Sequence, residues 1–200
     1  MGKFLFYTVS ACALVAGAAH AENNFNRIAS FPTWTNIAAG EDQNRETSAE
    51  IIAATADGMT LVYTDSPLGV LGRIDITDPR NPKPLGNIAL DGEPTAVSII
   101  GNTAVAGVNT SESYVKPSGY ALQLDITTGA EVARCDLGGQ PDSVAVSPDG
   151  SLVAVAIENE RDEDLGDGRT GQMPAGYLAL VSVENGTLNC DSLNKVDLTG

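Results

Sequence analysis

A pattern of seam, turn and apolar run returns along this chain at a spacing of 43 to 50 residues, and few folds can accommodate it. The glycine turn Ala56-Asp57-Gly58 is answered by Ile100-Gly101-Asn102 and by Pro148-Asp149-Gly150, each followed by an apolar run. Ahead of the second and third turns stand the matching segments Glu93-Pro94-Thr95-Ala96-Val97 and Gln140-Pro141-Asp142-Ser143-Val144. Asp75-Ile76-Thr77 returns as Asp125-Ile126-Thr127. A period in the forties, built from short strands and tight turns, marks propeller blades or a related stacked array.

Within each repeat, Gly, Pro, Asn and Asp punctuate apolar segments at hairpin spacing, and no long helical period competes. The first repeat, 49–92, predicts strands at 50–54, 59–64, 70–76 and 85–90. The second, 93–139, predicts them at 95–100, 103–108, 120–126 and 131–137. The third, 140–200, predicts them at 143–146, 152–157 and 177–183, with a weaker fourth near 195–198. The expected class is all-β: a β-propeller of four-stranded antiparallel blades. Leu152-Val153-Ala154-Val155-Ala156-Ile157 is apolar on both faces, as a strand sandwiched between two blades requires. Ala104, Ala106 and Gly107 suit the crowded inner part of a ring.

Closed propellers take four to eight blades, so three repeats predict two uncovered sheet faces. Asp197-Leu198-Thr199-Gly200 matches the seam Asp136-Leu137-Gly138-Gly139, so the sequence stops where a blade would begin. The expectation is the N-terminal portion of a longer propeller or a truncated product, with further blades or a partner covering the open faces. Residues 22–48 read as a polar, irregular N-terminal segment apart from the apolar stretch 28–31.

Residues 1–21 read as an export signal: Lys3 in the n-region, an apolar stretch, then the small-x-small site Ala19-His20-Ala21. The apolar stretch is too short to span a bilayer. Val9-Ser10-Ala11-Cys12 resembles a lipoprotein cleavage box, but only about six apolar residues precede Cys12 and more follow it. The expected location is periplasmic or secreted, with cleavage after Ala21 and no membrane span. Cleavage removes one lysine and the only histidine, taking the net charge from −15 to −16. Such a surface repels nucleic acid and anionic lipid. Without histidine there is no Ser-His-Asp triad, no Cys/His zinc site and no imidazole base. Two cysteines remain, Cys135 and Cys190; export favours oxidation, and a bridge between neighbouring blades and two separate thiols both stay open.

Alternating strand directions sort the connections into two sets. Tight turns such as Asp149-Gly150 and Asp78-Pro79-Arg80-Asn81-Pro82 fall at one end of the blades. The other end gathers Tyr63-Thr64-Asp65-Ser66, Asn109-Thr110-Ser111-Glu112-Ser113, the blade-to-blade residues Glu93 and Asp142, and the acidic loop 158–167. Within that loop, Glu158, Glu160, Asp162, Glu163, Asp164 and Asp167 repel one another unless a cation or arginines intervene. They are the candidate metal ligands, and Ca²⁺, which takes oxygen ligands from flexible loops, is the candidate ion. The spacing is not that of an EF-hand, and a solvated loop neutralised in part by Arg161 and Arg169 is the alternative. Asn109-Thr110-Ser111 and Asn185-Gly186-Thr187 fit the glycosylation sequon, which carries no weight behind a bacterial-type signal.

Four segments carry a family resemblance: residues 63–67, 74–84, 139–150 and 157–166. The chain from about Phe25 onward resembles the phytase-like ("esterase-like activity of phytase") family of exported bacterial propellers. That family shades into the alkaline-phosphatase-labelled choice-of-anchor proteins and the YVTN/LVIVD-type propellers. The resemblance implies a periplasmic or secreted propeller, with phosphoester or carboxylic-ester hydrolysis assisted by a divalent cation. It assigns no catalytic residue here. Two functions follow as expectations. One is a hydrolase of a small phosphorylated or ester substrate, with Ca²⁺ on the acidic loop and Arg161 or Lys116 steadying developing charge. The other is a non-catalytic scaffold binding a protein, glycan or cell-surface partner.

Overall fold

Among the described residues, twelve strands form three separate four-stranded antiparallel sheets, each in simple sequence order. The computed structural model describes residues 26–167 and 172–198. The first blade holds β1 (Ala49–Ala54), β2 (Thr60–Asp65), β3 (Val70–Asp75) and β4 (Lys83–Ala89). The second holds β5 (Glu93–Ile100), β6 (Thr103–Asn109), β7 (Gly119–Asp125) and β8 (Glu131–Asp136). The third holds β9 (Pro141–Val146), β10 (Leu152–Ile157), β11 (Tyr177–Glu184) and β12 (Thr187–Asp197). No α-helix occurs among the described residues. The blades are those expected from the repeat. The export signal at 1–21, including Lys3, Cys12 and the Ala19-His20-Ala21 site, lies outside the described residues, as do Gly168 and Arg169.

β12 differs from expectation: it begins at Thr187, well before 195. Asn185 and Gly186, at φ 52° and 80°, form a two-residue hairpin closed by the Glu184–Thr187 pair. Asn-Gly is the strongest short hairpin signal because both positions need positive φ. Its polar outward residues hide β12 from an apolar-run reading.

The sheets fan about an inner edge, with β5 packed against both β1 and β9, and β8 against β12 at the rim. Side-chain alternation sends the two faces of the central blade into two cores. Val97, Ala104, Ala106, Val108, Leu122 and Leu124 pack toward Val62 and Leu71 of the first blade. Ala96, Val105, Ala121 and Cys135 pack toward Val144, Val153, Val155, Ala179 and Val181 of the third.

Polar ties reinforce each seam. Between the first and second blades, the Arg73 guanidinium donates to the carbonyls of Ile126 at 2.6 Å and Thr127 at 2.9 Å. Between the second and third, the fully buried Gln123 donates to Gly186 O at 2.7 Å and accepts from Leu188 N at 2.8 Å. A tyrosine under a cation recurs at both seams. Arg134 stands 4.1 Å over the Tyr120 ring while Tyr120 donates to Asp91. Lys195 stands 4.5 Å over the Tyr177 ring while Tyr177 donates to Leu137 O. Burial, then the bond to Asp91, pushes the Tyr120 hydroxyl up to about 12, so it stays a donor at neutral pH.

Residues 26–48 hold one 3-10 turn, Thr33–Asn36, and they are not idle. Asn36 is buried, donates to Tyr63 Oη at 2.9 Å and Arg73 O at 3.0 Å, and accepts from Gly86 N at 3.0 Å. Beneath it the Tyr63 ring lies on Gly72, where a Cβ would fall 2.0 Å from the ring. The outer part of the first blade's free face is therefore closed by the chain itself, whereas Ile52 nearer the inner edge is 56% exposed.

Cys135 of β8 and Cys190 of β12 form a disulfide across the second seam, settling the open choice in favour of the bridge. Its ends are 55 residues apart, for which loop closure gives about 4 kcal/mol. The Cys135→Ala/Cys190→Ala double variant should lose roughly that much in chemical denaturation; unchanged stability would contradict a stapling role.

Carboxylates in the tight turns are held low by local donors. Asp149, bonded first by Ser147 and Ser151, drops from 3.8 to about 2. Thr55 lowers Asp57, the Thr128 amide lowers Asp125, and Thr77 lowers Asp75. Groups so depressed bind fewer protons folded than unfolded, so they stabilise the fold above their unfolded pKa. That stabilisation goes as pH falls from 3.8 toward about 2. Asp65, raised by burial, works in the opposite direction: its contribution is full below its unfolded pKa and is lost as pH rises through its folded one. Acid titration followed by circular dichroism should therefore show a shallower stability loss in that acid window for Asp149→Asn than for the parent protein.

Candidate functional site

The loops after β2, β6 and β10 and the two blade-to-blade connections share one end of the fan, as strand alternation dictates. The residues 158–176 connect β10 to β11, and two amides fasten this long loop. Asn159, at φ 49°, accepts from Gln140 N at 2.9 Å and donates to Ala175 O at 3.0 Å. Asparagine tolerates this left-handed conformation better than most side chains. Gly139 must lack a side chain there, since a Cβ would fall 2.8 Å from Asn159 Oδ1 and 2.5 Å from Ile157 Cγ2. Gln172 performs a second tie: its Oε1 accepts from Asp162 N at 3.1 Å and its Nε2 donates to Asp162 O at 2.8 Å.

The six candidate ligands do not all meet. Glu158, Glu160 and Glu163 line one cavity of about 320 Å³ with Arg161, Asn159 and Gln172. Asp162 is half-buried and turns its Oδ1 to Asp164 N at 3.0 Å, while Asp164 and Asp167 are exposed farther along the loop. Hard carboxylate oxygens suit Ca²⁺ by chemistry. Among the described residues, however, no three His, Cys, Asp or Glu side chains converge closely enough to hold a metal ion. Arg169, proposed to neutralise this loop, lies outside the described residues. Lys116, the other candidate cation, pairs with Glu112 at 3.1 Å on the neighbouring loop, where both are well exposed.

A second cavity of about 170 Å³ adjoins the first. Asn109, Ser111, Ser113, Tyr114, Gln140 and Glu160 line it, so Glu160 belongs to both. Glu160 N donates to Gln140 Oε1 at 3.2 Å, bridging the two blades at the boundary. The hairpin 110–118 holds itself together through Thr110 and Ser118, whose hydroxyls lie 2.8 Å apart, and presents Tyr114 at 45% exposure. Sequence reasoning found the acidic loop by its charge density but missed Gln140, Asn159 and Gln172. The one available cue was an asparagine among acidic neighbours at the end of a buried strand.

A set of stacked four-stranded sheets with its long loops at one end defines a propeller-type protein. Residues 50–199 match the Choice-of-anchor I domain, and the chain belongs to that family. Membership fits a surface or exported protein, and no helix among the described residues is long and apolar enough to cross a membrane. No curated protein matches. Among solved structures, the chain resembles the hydrazine synthase of Kuenenia stuttgartiensis at 20% identity and TM-score 0.52, covering 74% of this chain and 41% of that one. It also resembles two candidate 6-phosphogluconolactonases. The one from Bacteroides uniformis gives 16% identity and TM-score 0.50, covering 72% of this chain and 40% of that one. The one from Bacteroides fragilis gives 15% and 0.51, covering 73% and 38%. At these identities the likeness establishes the fold alone. The chain spans about two fifths of each of these structures.

Asn159→Ala removes both amide bonds and leaves an unfavourable φ, at a cost of about 2–4 kcal/mol. Hydrogen exchange should show 158–167 and 172–176 opening faster while β5–β8 stay protected. Equal protection of the loop in both proteins would contradict the anchoring role.

Proposed function

We propose that this chain is part of an exported propeller that uses the loop end of its second and third blades to bind a glycan without chemically altering it. The observation that carries this reading is the pair of adjoining cavities sharing Glu160, with an exposed tyrosine at their edge. Asn109, Ser111, Ser113, Gln140 and Glu160 offer neighbouring donors and acceptors of the kind vicinal hydroxyls satisfy. Tyr114 adds an apolar ring face with a polar tip, suited to lie against the C–H face of a sugar. An acidic surface disfavours anionic polymers and leaves neutral or amino sugars as the fitting class.

A second reading, hydrolysis of a small phosphorylated or ester substrate, draws on the carboxylates and Arg161 around the larger cavity. Under it, Ca²⁺ would be held by Glu158, Glu160, Asp162, Glu163, Asp164 and Asp167 once the loop closed further. The arginine would steady charge on the substrate. The phytase-like resemblance is its other support.

Calorimetric titration with neutral and amino-sugar oligosaccharides, run beside phosphatase and esterase assays with and without chelator, separates the two. The glycan reading predicts saturable binding that weakens about tenfold in Tyr114→Ala, in line with the loss of one aromatic contact, and no chelator-sensitive turnover. Turnover that chelator abolishes and Asp162→Ala/Asp164→Ala removes, with no saccharide binding, would replace it with the hydrolase.

A further inference from the structure

The two seams differ at their outer rim. Tyr120 and Arg134 at the first answer to Tyr177 and Lys195 at the second, so the rims can be compared strand by strand. Between the residues that pair with Leu180 and Ser182, β12 holds four residues, 190–193. In β8 only Val132 lies between the residues that pair with Gln123 and Leu124. The longer excursion of β12 plugs the second seam: Cys190 and Leu193 pack onto its core, and Cys190 bonds to Cys135. β8 supplies no such plug to the first seam, and a cavity of about 280 Å³ lies there between β4, β7 and β8.

Ile88, Leu90, Leu122 and Leu124 give this cavity an apolar floor. Leu122 and Leu124 are buried, and Ile88 and Leu90 pack on the same core. Small cavities with such a lining hold water poorly and accept apolar guests. The mouth is charged. Asp91, Glu131 and Arg134 stand there, with half or more of each carboxylate side chain exposed. One guanidinium thus serves two carboxylates. Asp91 uses both oxygens, accepting from Arg134 at 3.1 and 3.2 Å and from Tyr120. Glu131 accepts from Arg134 at Oε2 only, at 2.8 and 3.1 Å, which leaves Oε1 to a further donor. The mouth therefore carries an excess negative charge, in a chain whose net charge is −15.

We infer that this cavity binds a small amine. An aromatic or leucine-sized body takes the place that Cys190 and Leu193 fill at the other seam, and its ammonium donates to Glu131 Oε1 beside Arg134. An anion of the same size would meet Asp91 and Glu131 and is disfavoured. The site shares no residue with the two cavities of the loop end, so it stands apart from the glycan reading.

NMR titration of the whole exported protein with phenethylamine, 2-phenylethanol and phenylacetate tests this, because the ring stays constant while the charge changes. Phenethylamine should bind saturably and about fivefold more tightly than 2-phenylethanol, the gain of one exposed ion pair. Phenylacetate should not saturate. Glu131→Gln should bring the amine down to the alcohol and leave the alcohol's affinity unchanged. Ile88→Trp, which fills the cavity from its half-buried edge, should abolish binding of both while circular dichroism stays that of the parent. Amine binding that survives Ile88→Trp would overturn the inference and move the amine to another acidic part of the surface. So would an amine that does not saturate, or one that the alcohol and the acid match in affinity. If Ile88→Trp does not fold, the Glu131→Gln comparison decides: an amine preference that persists there overturns the inference as well.

Discussion

Burial of one sheet's side chains against the next is the interaction on which everything else here rests. No blade of this protein has a core of its own: a four-stranded sheet one layer thick can hide apolar groups only by lying on another layer. The central blade meets that requirement on both sides, which is why Val105 and Ala121 on one face and Ala104 and Val108 on the other are all fully buried. Polar ties serve this stacking. Gln123 reaches across the second seam to the buried Leu188 amide and Arg73 across the first to the Ile126 carbonyl, and the Cys135–Cys190 bridge clamps the rim where the fan is widest.

Stacking also positions the loop end. Because each blade begins and turns at the same height, the connections after β6 and β10 and the 137–140 linker arrive side by side. Gln140 can then bond to Glu160, and Asn159 can hold both the linker and Ala175. The smaller cavity is a consequence of blade register, with side chains from the second and third blades in it, whereas the larger is lined by the β10–β11 connection alone. A ligand site built this way is as rigid as the seam beneath it and as variable as the loops above it, which is how one fold serves unrelated functions.

The blades were legible in the sequence because turn chemistry is local. Asp57-Gly58, Asp149-Gly150 and the seam segments at 93–97 and 140–144 announce themselves within a few residues. β12 escaped because its residues are half polar and its start signal, Asn185-Gly186, also spells a sequon. The docking of Asn36 escaped for a different reason: its partners lie 27 to 50 residues away, and nothing near it marks a buried amide. Charge density pointed to the acidic loop, but density is not convergence. Only Glu158, Glu160 and Glu163 of the six share a cavity: Asp162 turns its carboxylate to the loop's own Asp164 amide, and Asp164 and Asp167 are exposed farther along.

Hydrogen exchange resolved by strand, followed through increasing denaturant, bears most directly on the dependence of each blade on its neighbours. The slowest amides should lie in β6 and β7, the strands covered on both faces, and should exchange only when the whole molecule unfolds. Three sheets that open independently, with β6 and β7 no slower than β2 or β10, would contradict the account.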